Sequence, residues 1–263
     1  MLRRTLPLVV VMLLAAAVPA VSAEDSVPKS QPSGSLKDLL ALPADNIRDA
    51  LDSEYRSADD RLRDGPEKTE AILRASGIAR GMRIVDLSAG DGYFAQVLAL
   101  AVRRFGKVWG NNDPASIDPA TAEAWKKRLH GAGGADVAEL ALPLGSPLPP
   151  YVTGIDIVFA RGTSHDAARR SIDRTAVHRS VLAALSPRGR YVVVDARASG
   201  EDARSAALCR ADVKTVRKEI EDAGFRLVSE SDALRNRSDS TSKSACADAA
   251  ADRFLLVFEK PAA

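Results

Sequence analysis

The residues best placed to do chemistry fall in one short segment, Ile84-Val85-Asp86-Leu87-Ser88-Ala89-Gly90-Asp91-Gly92-Tyr93-Phe94. An apolar run ends on an acid, bends through small residues and enters a second run with helical spacing. Gly90 and Gly92 keep Cβ atoms out of the way of an approaching ligand. The helix that follows starts with unpaired N–H groups, which suit a carboxylate or phosphate. Open parallel sheets bind ligands outside the carboxyl ends of their strands, and this bend sits at such an end. A tight packing turn would use the same glycines, so the bend alone does not name a ligand.

Gly90 to Ala95 also satisfies G-x-G-x-x-A, and Asn112 and Asp113 follow about 20 residues on, as a dinucleotide site requires. Two features oppose that reading. Asp86 precedes the glycines within the strand, and Ala223-Gly224-Phe225 leads to a terminal strand over 253–260. Among the other polar residues, His165 with Asp166 beside it is the candidate general base. His130 reads as a helix C-terminal cap, and His178, between Arg174 and Arg179, as a surface residue. Three histidines so scattered make no metal site. Lys126-Lys127-Arg128 and Arg169-Arg170 read as solvated helix faces, and Trp109 and Trp125 as packing residues.

These residues need a scaffold, and the chain alternates short apolar runs with helical stretches after Gly81. Strands are expected over 82–87, 108–110, 137–140, 155–160, 191–194, 225–229 and 254–258. Helices are expected over 93–104, 120–129, 213–223 and, as one long element, 167–185. Alternation of this kind implies right-handed βαβ crossovers and a mainly parallel sheet covered on both faces. The last two strands could pair antiparallel at the sheet edge. Before the first strand, 35–75 has helical spacing, with Pro66 suiting the first turn of a helix that ends near Gly77.

At this point the residues resemble a family. Val85 to Gly92 is similar to the first motif of class I S-adenosylmethionine-dependent methyltransferases. Leu185-Ser186-Pro187-Arg188-Gly189 resembles the turn before their fifth strand, and Asp195 falls where that strand ends. More narrowly, Arg56 to Asp64 is similar to the lead-in of a predicted bacterial methyltransferase group that carries a signal peptide. The resemblance covers about 56–261. It implies a Rossmann-like, mainly parallel seven-stranded α/β sheet with helices on both faces and an antiparallel C-terminal strand. It implies S-adenosyl-L-methionine as cofactor and a small-molecule acceptor. Asp86 would lie under the methionine moiety, with Ser88, Gly90 and Gly92 beside it. Asn112 stands where an acid usually bonds the ribose hydroxyls, and Glu139 falls near the end of the third strand. His165 and Asp166 follow the fourth. Ala196 and Cys209 stand where the signal-bearing group often has histidines.

The chain has 263 residues, 46% of them hydrophobic, enough for one sizeable domain. Arg3 and Arg4, the apolar stretch Leu6 to Val18 and the small residues Val21-Ser22-Ala23 read as a secretory signal peptide over 1–23. The apolar stretch is shorter than the roughly 20 residues a membrane anchor needs. The expected order is therefore signal peptide, linker over 24–34, helical lead-in over 35–75 and main domain over 76–263, exported to the periplasm with no lasting membrane anchor. Loss of Arg3 and Arg4 brings Lys and Arg from 37 to 35, equal to Asp and Glu, and a neutral surface does not favour nucleic acid. Cys209 and Cys246, the only cysteines, either pair in an oxidising compartment or stay as two free thiols. Three functions stay open: a methyltransferase, a non-catalytic exported binding protein and a dinucleotide-dependent oxidoreductase. An exported enzyme would also need a supply of a cytosolic cofactor.

Overall fold

The computed structural model describes residues 45–103, 105–130, 137–199 and 203–262. The expected signal peptide and linker, and the start of the lead-in, lie outside them. Three helices come first: α1 (Asn46–Leu51), α2 (Ala58–Glu67) and α3 (Thr69–Ser76). Then follow β1 (Arg83–Asp86), α4 (Tyr93–Val102), β2 (Lys107–Asn111), α5 (Pro119–Leu129), β3 (Val137–Leu140) and β4 (Ile155–Arg161). The second half contains α6 (Thr163–Arg169), α7 (Arg174–Ala184), β5 (Leu185–Ala196), α8 (Ala203–Ala207), α9 (Val213–Asp222), β6 (Arg226–Ser231) and β7 (Arg253–Glu259).

The strands form one seven-stranded sheet in the order β3-β2-β1-β4-β5-β7-β6. All pairs among the first five are parallel, while β7 runs antiparallel to both β5 and β6. β7 is thus inserted beside β5, and β6 takes the edge. Side chains alternate across a strand, and the alternation here feeds two cores. Ile84, Val108, Ile157, Phe159, Val192 and Val257 join α1, α3 and α4 on one face. Val85, Val158, Tyr191, Val193, Leu256 and Phe258 join α7 and α9 on the other. A sheet covered on both sides explains strands that are apolar at nearly every position.

Two expectations about helices fail for local reasons. The stretch 167–185 is two helices, because Ser171 takes a left-handed φ of 55° and Asp173 caps α7 by accepting from the N–H groups of Thr175 and Ala176. Pro66 lies in the last turn of α2, not the first turn of α3; Lys68, with φ 55°, ends one helix and begins the next. His178 is buried, 5% exposed, and not at the surface. Its Nδ1 lies 3.4 Å from the Tyr191 hydroxyl, and burial lowers its pKa to about 4.

Candidate functional site at the carboxyl ends of the central strands

The bend after β1 is built by its glycines and one amide. Gly90 has a positive φ of 56°, and a Cβ there would meet nothing within 4 Å. Gly92 is also positive, at 82°, but a Cβ on it would lie 2.7 Å from Trp125 Cε3 and 2.8 Å from Arg128 Cδ. The two glycines therefore do different work. Gly90 leaves space, and Gly92 admits α5. Asn112 fixes the bend from β2: its Oδ1 accepts the Gly90 N–H at 2.8 Å and its Nδ2 donates to the Gly90 carbonyl at 2.9 Å. Leu87, Ser88, Gly90 and Asn112 line one side of a cavity of about 220 Å³ above this bend. Asp113 and Arg170 line the other, joined at 2.6 Å, and Arg170 also reaches Asp166 at 3.1 Å. Arg170 is thus a cross-link over the cavity and not a solvated residue.

Asp86 closes β1 and is fully buried. Its Oδ1 accepts the Ser88 N–H at 3.4 Å, while Oδ2 has no partner among the described residues. Burial raises its pKa to about 6, against the opposing charge of Arg161. Glu139 lies apart from this group. It is exposed, and its carboxylate accepts from Trp125 Nε1 at 2.7 Å.

The lead-in Arg56 to Asp64 acts as a clamp on the bend. Arg63 pairs with Asp91 at 2.5 Å and lies 4.0 Å from the Tyr93 ring centroid. Asp64 accepts from the Tyr93 hydroxyl at 2.5 Å and pairs with Arg56 at 2.6 Å. Asp60 takes Arg128 of α5 at 2.6 Å, so that arginine too is a structural tie. Arg56 and Asp60 are buried, and breaking a buried pair by removing one partner is strongly destabilising.

A second cavity, about 190 Å³, opens at the ends of β4 and β5 and contains His165. The histidine sits in the first turn of α6, immediately beyond Gly162 (φ 71°), and its Nδ1 lies 2.6 Å from Asp195 Oδ1. Asp195 Oδ2 accepts the His165 backbone N–H at 3.0 Å, and Oδ1 also accepts the Ala196 N–H at 2.8 Å. Burial opposes a charge on the imidazole, but the charge and hydrogen bond of Asp195 outweigh it and raise the pKa. A carboxylate on Nδ1 fixes the tautomer that leaves Nε2 as the acceptor of a proton. The partner of His165 is therefore Asp195, from the neighbouring strand, while Asp166 pairs with Arg169 and Arg170. Adjacency of β4 and β5 is the signal that pairs residues ending those two strands.

The roof of this cavity comes from the loop between β6 and β7, through Ala245, Ala247, Asp248 and Ala249. A disulfide between Cys209 and Cys246 ties that loop to the segment after α8. A larger cavity, about 520 Å³, lies beside α7 and α9; its acids Asp173 and Asp212 cap those helices and its Arg210 pairs with Asp239.

No protein family and no curated protein matches the sequence. Solved structures do match the fold. An S-adenosylmethionine-dependent methyltransferase from Aquifex aeolicus is 17% identical, with a TM-score of 0.56 over 79% of this chain and 97% of that one. Fibrillarin from Aeropyrum pernix, solved with natively bound S-adenosyl-L-methionine, is 14% identical, with a TM-score of 0.50 over 72% of this chain and 73% of that one. The cyclase SpnF is 15% identical, with a TM-score of 0.54 over 81% and 86%. What the chain shares with them is the Rossmann-like fold of solved methyltransferases, a mainly parallel seven-stranded sheet with its last two strands antiparallel.

Proposed function

We propose that this protein transfers a methyl group from S-adenosylmethionine to a small acceptor. The observation that carries the reading is one sheet that places an open glycine bend at the end of β1 and a His–Asp pair at the ends of β4 and β5. The residues present fit the nucleoside. Gly90 and Ser88 line the cavity. Asp86, which does not line it, lies buried behind Leu87 and Ser88 with an unpartnered Oδ2 that would accept from the ammonium of an amino acid once the bend opens to it. When bound, S-adenosylmethionine supplies an electrophilic methyl group on a sulfonium. Methyl transfer gains most of its rate from positioning, so this chain's residues chiefly orient and desolvate. His165 Nε2 would take the acceptor's proton, with Asp195 holding the ring and stabilising the imidazolium. The disulfide supports an exported protein, since such bonds persist in oxidising compartments. Among the described residues no helix is long and apolar enough to cross a membrane.

A second reading, a non-catalytic binding protein, is favoured by one observation. Both polar atoms of Asn112 are spent on Gly90, and Asp113 is spent on Arg170, so the polar groups nearest a ribose are engaged. A fold that also belongs to a cyclase does not dictate its chemistry. Calorimetry of the mature protein with S-adenosylhomocysteine separates the readings. Micromolar binding that Asp86→Ala abolishes supports the enzyme, and no heat at millimolar ligand overturns it. Binding of NAD(H) in its place would favour an oxidoreductase.

A further inference from the structure

The His165 cavity is lined by two arginines whose N–H groups are not all partnered. Arg253 is 90% buried as a side chain; it donates to the Pro66 carbonyl at 2.9 Å and pairs with Glu67 at 3.3 Å, yet its buried Nε has no partner among the described residues. Arg161 faces the same Glu67 oxygen at 3.5 Å and lies 4.2 Å from the Phe94 ring centroid. It makes no hydrogen bond among the described residues, so its five N–H donors are largely unspent. Both arginines line the cavity with Glu67, His165 and Asp195. Three of the carboxylate oxygens there already have partners. Glu67 Oε2 is shared by the two guanidinium groups, and both oxygens of Asp195 are taken by His165 and Ala196.

Charge alone does not make this an anion site, because Glu67, and Asp86 near Arg161, offset the two arginines, and Asp248 stands at the rim. What marks it is the guanidinium N–H groups that the described residues leave without partners, the buried Arg253 Nε among them. Buried donors left unpaired are costly, and guanidinium groups match planar oxyanions better than any other group.

We infer that this cavity binds an oxyanion, of which a carboxylate is the best fit, so that the methyl acceptor is a small organic acid held by Arg161 and Arg253 with its nucleophilic atom toward His165. The word acceptor rests on the proposed methyl transfer; the oxyanion site does not. A planar acid suits the N–H groups that Glu67 leaves unused on the two guanidinium groups, in a cavity that the alanines of the disulfide-tied loop also line.

The experiment compares benzoate, benzamide and benzamidinium, which share a shape and differ in charge and in donors, by calorimetry on the disulfide-intact protein without nucleoside. Benzoate should bind best, benzamide roughly tenfold more weakly since charge-assisted bonds are stronger, and benzamidinium weakest. Arg161→Gln should cost benzoate at least about tenfold, and Arg161→Lys should restore only part, because an ammonium lacks the planar fork. Equal or tighter binding of benzamidinium overturns the inference, as does unchanged benzoate affinity in folded Arg161→Gln. The three-ligand comparison on the wild-type protein stands even if the variant does not fold. S-adenosylhomocysteine is titrated in the same preparation. Its failure with benzoate retained would remove the methyl-transfer reading and leave the oxyanion site.

Discussion

A Cβ on Gly92 would lie 2.7 Å from Trp125 Cε3, whereas one on Gly90, two residues earlier, would touch nothing. Gly92→Ala therefore forces α5 outward as well as straining a left-handed backbone. Overpacking costs about 1–3 kcal/mol and the left-handed residue about 1–2 more. Gly90→Ala carries only the second cost. Denaturant unfolding should show Gly92→Ala destabilised by about 3 kcal/mol or more and Gly90→Ala by about half of that. Gly90→Ala should still weaken S-adenosylhomocysteine, since its methyl enters the cavity. Equal stability losses would show that α5 does not seat on Gly92.

The His165–Asp195 contact makes a prediction about ionisation. A pKa raised in the folded state means stability that is present below the free imidazole value of about 6.5 and lost as pH rises through the folded value. Asp195→Asn removes the charge that outweighs burial, so the His165 pKa should fall and that pH-dependent stability should vanish. An NMR titration of the imidazole reads this directly. An unmoved midpoint would show that Asp195 does not control the ring.

The sheet was legible in the sequence because its strands are short apolar runs between helical stretches, and covering on both faces keeps them apolar. Asp86, Gly90 and Gly92 were legible because a bend after a strand needs small residues wherever it occurs. What lay beyond the sequence is pairing across space. Nothing in the spacing of His165 and Asp166 reveals that Asp195, thirty positions on, takes the ring. Arg128 and Arg170 look like solvated charges in helical segments, but their partners, Asp60 and Asp113, come from distant segments. His178 is polar among arginines in sequence and packs against Tyr191 in the fold.

The disulfide ties the roof of the His165 cavity. Cys209 and Cys246 are 37 residues apart, and closing such a loop is worth about 3–4 kcal/mol by chain-entropy arguments. Reduction, or Cys246→Ser, should lower stability by up to about that amount. The lost order should be local, because Ala245 N–H donates to the Leu208 carbonyl directly beside the bridge. Hydrogen exchange should speed at Ala245 and its neighbours and leave β1 and β4 protected. Uniform acceleration across the sheet would mean that the bridge holds the whole fold rather than the roof.

Asp86 offers the sharpest division between a binding residue and a structural one. Its folded pKa is about 6, against an ordinary 3.8. For an acid shifted upward the cost is absent below pH 3.8, grows to about pH 6 and is complete above it. At roughly 1.4 kcal/mol per unit this burial costs about 3 kcal/mol at neutral pH. Asp86→Asn removes the charge but leaves an amide donor unpaired, which returns about 1–2 kcal/mol of cost. The variant should therefore be more stable than the wild type by about 1–2 kcal/mol at pH 7.5, with the gain gone near pH 4. The wild-type curve alone would mask this, because buried His178, with its pKa lowered to about 4, costs stability as pH falls below 6.5. The difference between the two proteins cancels that contribution. If Asp86 exists to meet a ligand's ammonium, the stabilised variant should bind S-adenosylhomocysteine far more weakly. A variant that is more stable and binds equally well would assign the buried carboxylate no part in the site.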